Sequence, residues 1–232
     1  MDNFEFAVEV KYTRRRGSIG IRINPDGVCL LAPHRTPKAT LEQLLQQRQD
    51  WIREKMALLQ DRSETSSTAE LVDGEPLLFL GNHYRLSIIR GEKDLVELDS
   101  GRLCVDLDHH SEQPAEEHCR QLLSQWYQQQ ARQHLGERLE FWSAESGLSY
   151  QSLKIRSYKS RWGSCDQRRR ITLNERLIMA PAEIVDYVII HELCHLVHLN
   201  HSAPFWQLVA EYCPDYQQRR RWLRNNGHQL QL

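Results

Sequence analysis

The sequence predicts an α+β protein in which strand-rich segments come first and the helices that carry chemistry come last. Three observations predict it. Runs of alternating apolar and polar residues, separated by turn residues, occupy 5–33 and 76–108. A long helical periodicity follows over 114–145, and a dense apolar helix from Pro181 to Ile190 runs directly into His191-Glu192-Leu193-Cys194-His195. A boundary near residue 110 therefore separates a β-rich N-terminal region (1–110), with one long helix at about 40–60, from a catalytic domain (111–232).

The first strands are Phe6 to Tyr12 and Ser18 to Ile23, and Asn24-Pro25-Asp26-Gly27 is a hairpin signal before Val28 to Ala32. Arg14, Arg15 and Arg16 read as a solvated turn. Leu41, Leu44, Leu45, Trp51, Ile52, Met56 and Leu59 approximate one amphipathic helix, with Thr40 as its cap. The polar residues 61–75 form a surface connection. Four short strands separated by Gly81-Asn82, Gly91-Glu92 and Ser100-Gly101 then form an antiparallel meander. Asp108-His109-His110 reads as linker, since neighbours at a strand end point opposite ways. Gly147 ends the long helix. From Leu153 to Asn174 the chain reads as a strand, a glycine-containing bend and a returning strand.

His191 and His195 lie four apart, one turn up the same helix face, and can offer two imidazoles to one zinc ion. Glu192 stands where it can take a proton from a water whose pKa the ion has lowered. Catalytic zinc takes a third protein ligand. His198 is excluded, because seven residues of helix put it about 10 Å from His191. If the helix ends near Asn200, the chain can turn back and bring in His201; Glu211, on the next helix, is the second candidate. Ser202 would cap that helix, with Pro204 in its first turn.

From Lys154 to Arg170 there are seven basic residues and one acid, Asp166, so this stretch is the most positive of the chain. Its place just before the metal helix makes it the candidate edge for an extended substrate, with Arg161, Lys159 and Trp162 as substrate contacts. The last helix, Tyr216 to Asn226, is basic in a way that complements its own dipole, and nucleic-acid contact is not required to explain it.

The whole chain, 232 residues and 40% hydrophobic, balances 30 Lys+Arg against 31 Asp+Glu, which excludes a global pull toward nucleic acid or membrane. It has no apolar run of membrane-spanning length and no secretory pattern at its start, so it reads as cytoplasmic. The six cysteines lack CxxC spacing and read as free thiols.

Arg161-Trp162-Gly163-Ser164-Cys165, Asn174-Glu175-Arg176-Leu177, and His191-Glu192-Leu193-Cys194-His195 followed by Asn200-His201-Ser202 and Phe205-Trp206 closely resemble the YgjP-like family of metal-dependent hydrolases, relatives of the SprT/Spartan and WLM zincins. Asn24 to Gly27, Ala32-Pro33, Asp50-Trp51-Ile52, Gly81 and Tyr84-Arg85-Leu86 extend the likeness over most of the chain. The resemblance implies a zincin-like domain with its HExxH helix under an antiparallel sheet, one zinc ion on His191, His195 and His201, and Glu192 as general base. It points to a metallopeptidase acting on peptide. The alternative is a nucleoside triphosphate pyrophosphatase, which Lys154, Arg156, Lys159 and Arg161 would suit. A zinc-stapled binding module is disfavoured by the intact Glu192 and the open fourth position, and a nucleic-acid-associated role rests on analogy with SprT alone.

Overall fold

The computed structural model describes residues 4–14, 18–24, 27–65, 71–158 and 160–232, with backbone only over 58–65. It is a mixed α+β chain with several sheets and six α-helices among the described residues. It divides into two compact units, residues 1–67 and 68–232. The sequence places the break at 110 instead. The difference arises because Leu77, Phe79, Leu86, Leu103, Val105 and Leu107 bury their side chains in one core with the long helix that follows them.

In the first unit β1 (Val8–Thr13), β2 (Gly20–Asn24) and β3 (Gly27–Pro33) form a sheet of order β1-β3-β2. The expected β2–β3 hairpin is present, although Pro25 and Asp26 of its turn lie outside the described residues, as do Arg15 and Arg16. Gly27 is required where it stands: its φ is +148° and a Cβ would lie 2.5 Å from the Ala7 carbonyl oxygen. The single helix expected at 40–60 is two, α1 (Lys38–Gln47) and α2 (Gln49–Thr65), parted at Arg48 with φ −110° and ψ 9°. Residues 46–48 are exposed, so no buried contact keeps the backbone in register there. Thr40 is inside α1 and Pro37 occupies the cap position.

The second unit carries β4 (Pro76–Phe79), β5 (Asn82–Gly91), β6 (Leu95–Asp99) and β7 (Arg102–Asp108) in the order β4-β5-β7-β6. This is not an antiparallel meander, because β5 and β7 pair in parallel. The chain leaves β5, lays down β6 as the outer edge and returns between them. The long helix α3 (Ala115–Ser146) follows and stops at Gly147, which adopts the left-handed conformation with φ 67°. A third sheet comprises β8 (Ser152–Arg156), β9 (Gly163–Cys165) and β10 (Arg170–Asn174), in the order β8-β10-β9. It too is mixed, with β8 parallel and β9 antiparallel to β10, where an antiparallel sheet is expected. The connection through β9 is long enough to bring the chain back in the same direction.

A 3-10 turn over Glu175–Met179 leads into α4 (Ala182–Cys194), and α5 (Ala203–Tyr212) and α6 (Tyr216–Asn226) close the unit. Helix α4 is apolar almost all round, with Ile184, Val185, Val188, Ile189 and Ile190 buried, so it has to be packed on several sides. It touches α3, α5, α6, β9 and β10. Its polar ties are few and specific: Arg138 of α3 donates to both carboxylate oxygens of Asp186 at 2.8 Å, and Arg219 of α6 donates to the Glu183 carbonyl at 3.0 Å. Helix α4 ends at Cys194, before the expected stop near Asn200. Val197 and Leu199 are exposed, so burial does not extend the helix, and a last turn closes with the His198 N–H donating to the Cys194 carbonyl at 3.0 Å. Among the described residues no helix is long and apolar enough to cross a membrane.

One buried polar residue governs the approach from β10 to α4. Asn174, 1% exposed, donates from Nδ2 to the carbonyls of Tyr158 and Arg161, each at 2.9 Å, while its backbone N–H donates to the Trp162 carbonyl at 2.8 Å. Its Oδ1 accepts from the Arg176 N–H at 3.2 Å, and the Arg176 guanidinium donates to the Tyr158 carbonyl at 2.7 Å. The segment leading into β9 is thus clamped to β10. Replacing Asn174 with Ala removes three side-chain hydrogen bonds at a buried position and should cost about 2 kcal/mol in urea unfolding, with faster tryptic cleavage after Arg161. Asn174→Asp keeps the acceptor toward Arg176 and loses both donors, so equal stability of Asn174→Asp and wild type would show that the clamp contributes nothing.

Candidate metal centre

The site is assembled from the end of α4 and the start of α5. His191 is on the last turn of α4 and His195 is its C-cap, still in right-handed helical backbone (φ −67°, ψ −15°), so the expected one-turn spacing survives the early helix end. The loop after Leu199 turns back and presents His201, whose Nε2 lies 3.0 Å from the Nε2 of His191. Ligand nitrogens of His191, His195 and His201 all fall within 4.8 Å of one another. The ring centroids are 4.9 Å (His191–His195), 5.0 Å (His191–His201) and 4.8 Å (His195–His201) apart. Fully buried Phe205 lies under all three rings at 4.9, 4.5 and 4.9 Å, and the Trp206 ring stacks on His201 at 5.6 Å. Phe205 and Trp206 of α5 are thus the floor of the cluster. Ser202 takes the N-cap position of α5 without a side-chain capping bond, and Pro204 is in the first turn as expected.

The protonation of the cluster suits metal binding. His195 Nδ1 pairs with the His198 carbonyl at 2.9 Å; as donor it leaves Nε2 with a free lone pair. The side chain of His198 is outside the cluster, as expected, although α4 ends before reaching it. Burial, then the neighbouring His195, His201 and Arg220, pulls His191 down to about 3, so it stays neutral. Burial also lowers His195. Three imidazoles whose nitrogens converge, one pair at 3.0 Å, are a donor set that fits a divalent transition metal. Glu211 is exposed and outside this cluster; its charge bears on Cys194, where it adds to the burial that pushes the thiol up to about 12.

Glu192, next to His191 on α4, lies against Gly163 of β9. It is 4% exposed, its Oε2 has no hydrogen-bond partner, and burial pushes it up to about 8 against the opposing pull of Arg161. Gly163 makes room for it: a Cβ there would sit 2.5 Å from the Glu192 Oε1. This explains in physical terms why the Trp162-Gly163-Ser164 stretch and the HExxH helix belong together.

Of the substrate contacts named from sequence, Lys159 lies outside the described residues. Arg161 is exposed, its guanidinium 5.5 Å from the Tyr158 ring, and near enough to Glu192 to lower it. Trp162 is half-buried and lines a cleft of about 670 Å³ together with Tyr187, Gln217, Arg220, Arg221, Leu223 and Arg224. Lys154 and Arg156 do not join this group; both are exposed, and Arg156 faces a separate cleft with Gln128, Arg132 and Glu175. Sequence reasoning missed Asn174 and Arg176, whose contacts are long-range, and the arginines of α6. Asp108, His109 and His110 also bring ligand atoms within 4.8 Å, because His109 and His110 sit in a turn and do not alternate as strand residues would. His109 Nδ1 is already paired with the Gly91 carbonyl at 2.5 Å, and Asp108 Oδ1 accepts from the His110 N–H at 2.8 Å.

Among solved structures the chain is similar to the metallopeptidase zymogen abylysin of Pyrococcus abyssi, at 25% identity and a TM-score of 0.36, over 39% of this chain and 92% of that one. It is similar also to the metallopeptidase zymogen jannalysin of Methanocaldococcus jannaschii, at 17% identity and a TM-score of 0.34, over 38% of this chain and 95% of that one. No curated protein matches it. A family model, YgjP-like metallopeptidase domain, matches residues 17–226, from the first sheet to the end of α6. The chain that joins a convergent histidine triad to a buried glutamate thus belongs to the YgjP-like family of metallopeptidase domains.

Proposed function

We propose that the protein is a zinc-dependent hydrolase acting on peptide bonds, with His191, His195 and His201 as ligands to one zinc ion and Glu192 as general base. The observation that carries the reading is the convergence of three ring nitrogens beside a buried carboxyl group that has one unpartnered oxygen. Bound there, zinc would supply Lewis acidity toward a water and a substrate carbonyl and leave one coordination position open. The chain's own residues do the rest. His195, tied through Nδ1 to the His198 carbonyl, is held in one tautomer. Glu192 accepts a proton from the attacking water at its carboxylate and passes it to the departing amine. Its low-dielectric setting against Gly163 suits that exchange, because burial raises the affinity of the carboxylate for the proton it takes from water.

Substrate would lie along β9. That strand pairs with β10 on one side only and is an edge of its sheet, so an extended peptide can add to it by main-chain hydrogen bonds. Arg161 and Trp162 precede this edge, and the exposed Arg161 is placed to stabilise an oxyanion near Glu192. The zincin-like arrangement of sheet over helix is supported by the contact of α4 with β9 and β10. The pyrophosphatase reading would need Lys154, Arg156, Lys159 and Arg161 to gather at one site; Lys154 and Arg156 are exposed, and Arg156 lines a separate cleft with Gln128, Arg132 and Glu175, which favours the peptide reading.

Glu192→Gln should retain bound zinc, measured by atomic emission after gel filtration, and lose at least a hundredfold in peptide hydrolysis. Near wild-type turnover in Glu192→Gln would overturn the mechanism. His201→Ala should lose most zinc affinity, and a full zinc complement in it would move the third-ligand role elsewhere. Gly163→Ala offers a separate check: the added Cβ displaces the Glu192 carboxylate, so turnover should fall about as far as in Glu192→Gln while zinc content stays at one ion per chain.

A further inference from the structure

We propose that the cleft between α6 and Trp162 is an anion-binding subsite of the candidate active site, taking a group with two or more adjacent oxyanions on the substrate. This inference rests on the hydrolase reading for its location, but it is carried by the cleft itself. The walls are the Trp162 and Tyr187 rings and the guanidinium groups of Arg220, Arg221 and Arg224, with no carboxylate among the described lining residues. A volume of about 670 Å³ is that of a site for a small molecule or a few residues of chain.

The arrangement of α6 separates two uses of arginine. Arg219 is committed to the fold: it donates to Asp215 Oδ2 at 2.9 Å and to the Glu183 carbonyl at 3.0 Å. Arg220 and Arg221 line the cleft instead, with Arg224 one helical turn further on. The guanidinium forks of Arg220 and Arg221 match carboxylate and phosphate groups. Arg220 is preorganised by stacking over the Trp206 ring at 4.9 Å, and Trp206 packs in turn on Tyr216 at 5.2 Å.

Three walls of the cleft lead to the candidate metal centre. Trp162 is followed by Gly163, which lies against Glu192. The Tyr187 ring is 6.0 Å from the His191 ring. Arg220 reaches His201 through Trp206, whose ring is 5.6 Å from that histidine. A substrate reacting beside Glu192 can therefore place an anionic neighbour of the scissile group among the arginines. Carboxylates of an acidic peptide and the phosphates of a nucleoside triphosphate share this chemistry.

The test is direct binding to the zinc-loaded Glu192→Gln protein, followed by calorimetry so that no turnover is needed. The probes are a hexaglutamate peptide, its hexaglutamine counterpart and inorganic tripolyphosphate. Hexaglutamate or tripolyphosphate should bind at least tenfold more tightly than hexaglutamine, weaken as salt is raised, and lose about tenfold in affinity in Arg220→Gln and again in Arg221→Gln. Arg220 stacks on Trp206 whereas Arg221 is an exposed residue of α6, so the Arg221 variant keeps the test valid should Arg220→Gln disturb the fold. Preference for hexaglutamate assigns the subsite to acidic peptide, and preference for tripolyphosphate assigns it to phosphate. Equal binding of all three probes, or affinities unchanged in both arginine variants, would overturn the proposal. Anion binding without hydrolysis by the wild type would instead leave the subsite standing and sink the hydrolase reading.

Discussion

A helix buried on nearly every side has no water with which to solvate polar groups, and α4 carries a carboxyl group and two imidazoles at its C-terminal end. The architecture around it answers that constraint. Glu192 is packed against the one residue of β9 that has no side chain, with Arg161 as its nearest opposing charge. His191 and His195 are directed to the end of the helix, where α5 brings His201 and the Phe205 floor. Removing charges of this kind from water costs several kcal/mol each unless they are neutral or partnered, and neutrality is the state that burial imposes on His191.

The same constraint explains the clamp around Asn174. A segment that must lie within van der Waals reach of a buried carboxyl group cannot wander, yet the described residues between β8 and β9 belong to no strand. Two hydrogen bonds from the Asn174 amide side chain, one from its backbone N–H and one from the Arg176 guanidinium replace the missing ladder. Asn174 also starts the 3-10 turn that leads into α4, so the segment bearing Trp162 and the helix bearing Glu192 are referenced to the same residue.

Much of this was legible in the sequence where the cause is local. The limits of α3 follow from Pro114 and Gly147, and the histidine pair from the one-turn spacing. His201 was reachable by requiring a third ligand from a chain that turns back, although the turn comes earlier than expected because Val197 and Leu199 find nothing to pack on. What stayed hidden depends on partners distant in sequence. Parallel pairing of β5 with β7 and β8 with β10 cannot be read from alternation, which is the same for either direction. The break at Arg48 carries no proline or glycine to mark it. The arginines of α6 look like one solvated face until Arg219 is seen to turn inward and its neighbours to line a cleft.

The 32 residues of α3 make a rod of roughly 48 Å. Along it the helix touches β6 and β7 of the second sheet, β8 of the third, the 3-10 turn and α4. Neither sheet owns a complete apolar core; each borrows one from the same helix, through Cys119, Leu123, Leu135 and Leu139. Loss of α3 from one sheet is therefore loss from both, and a substitution that loosens the helix against β7 is felt at β8 and at α4 as well.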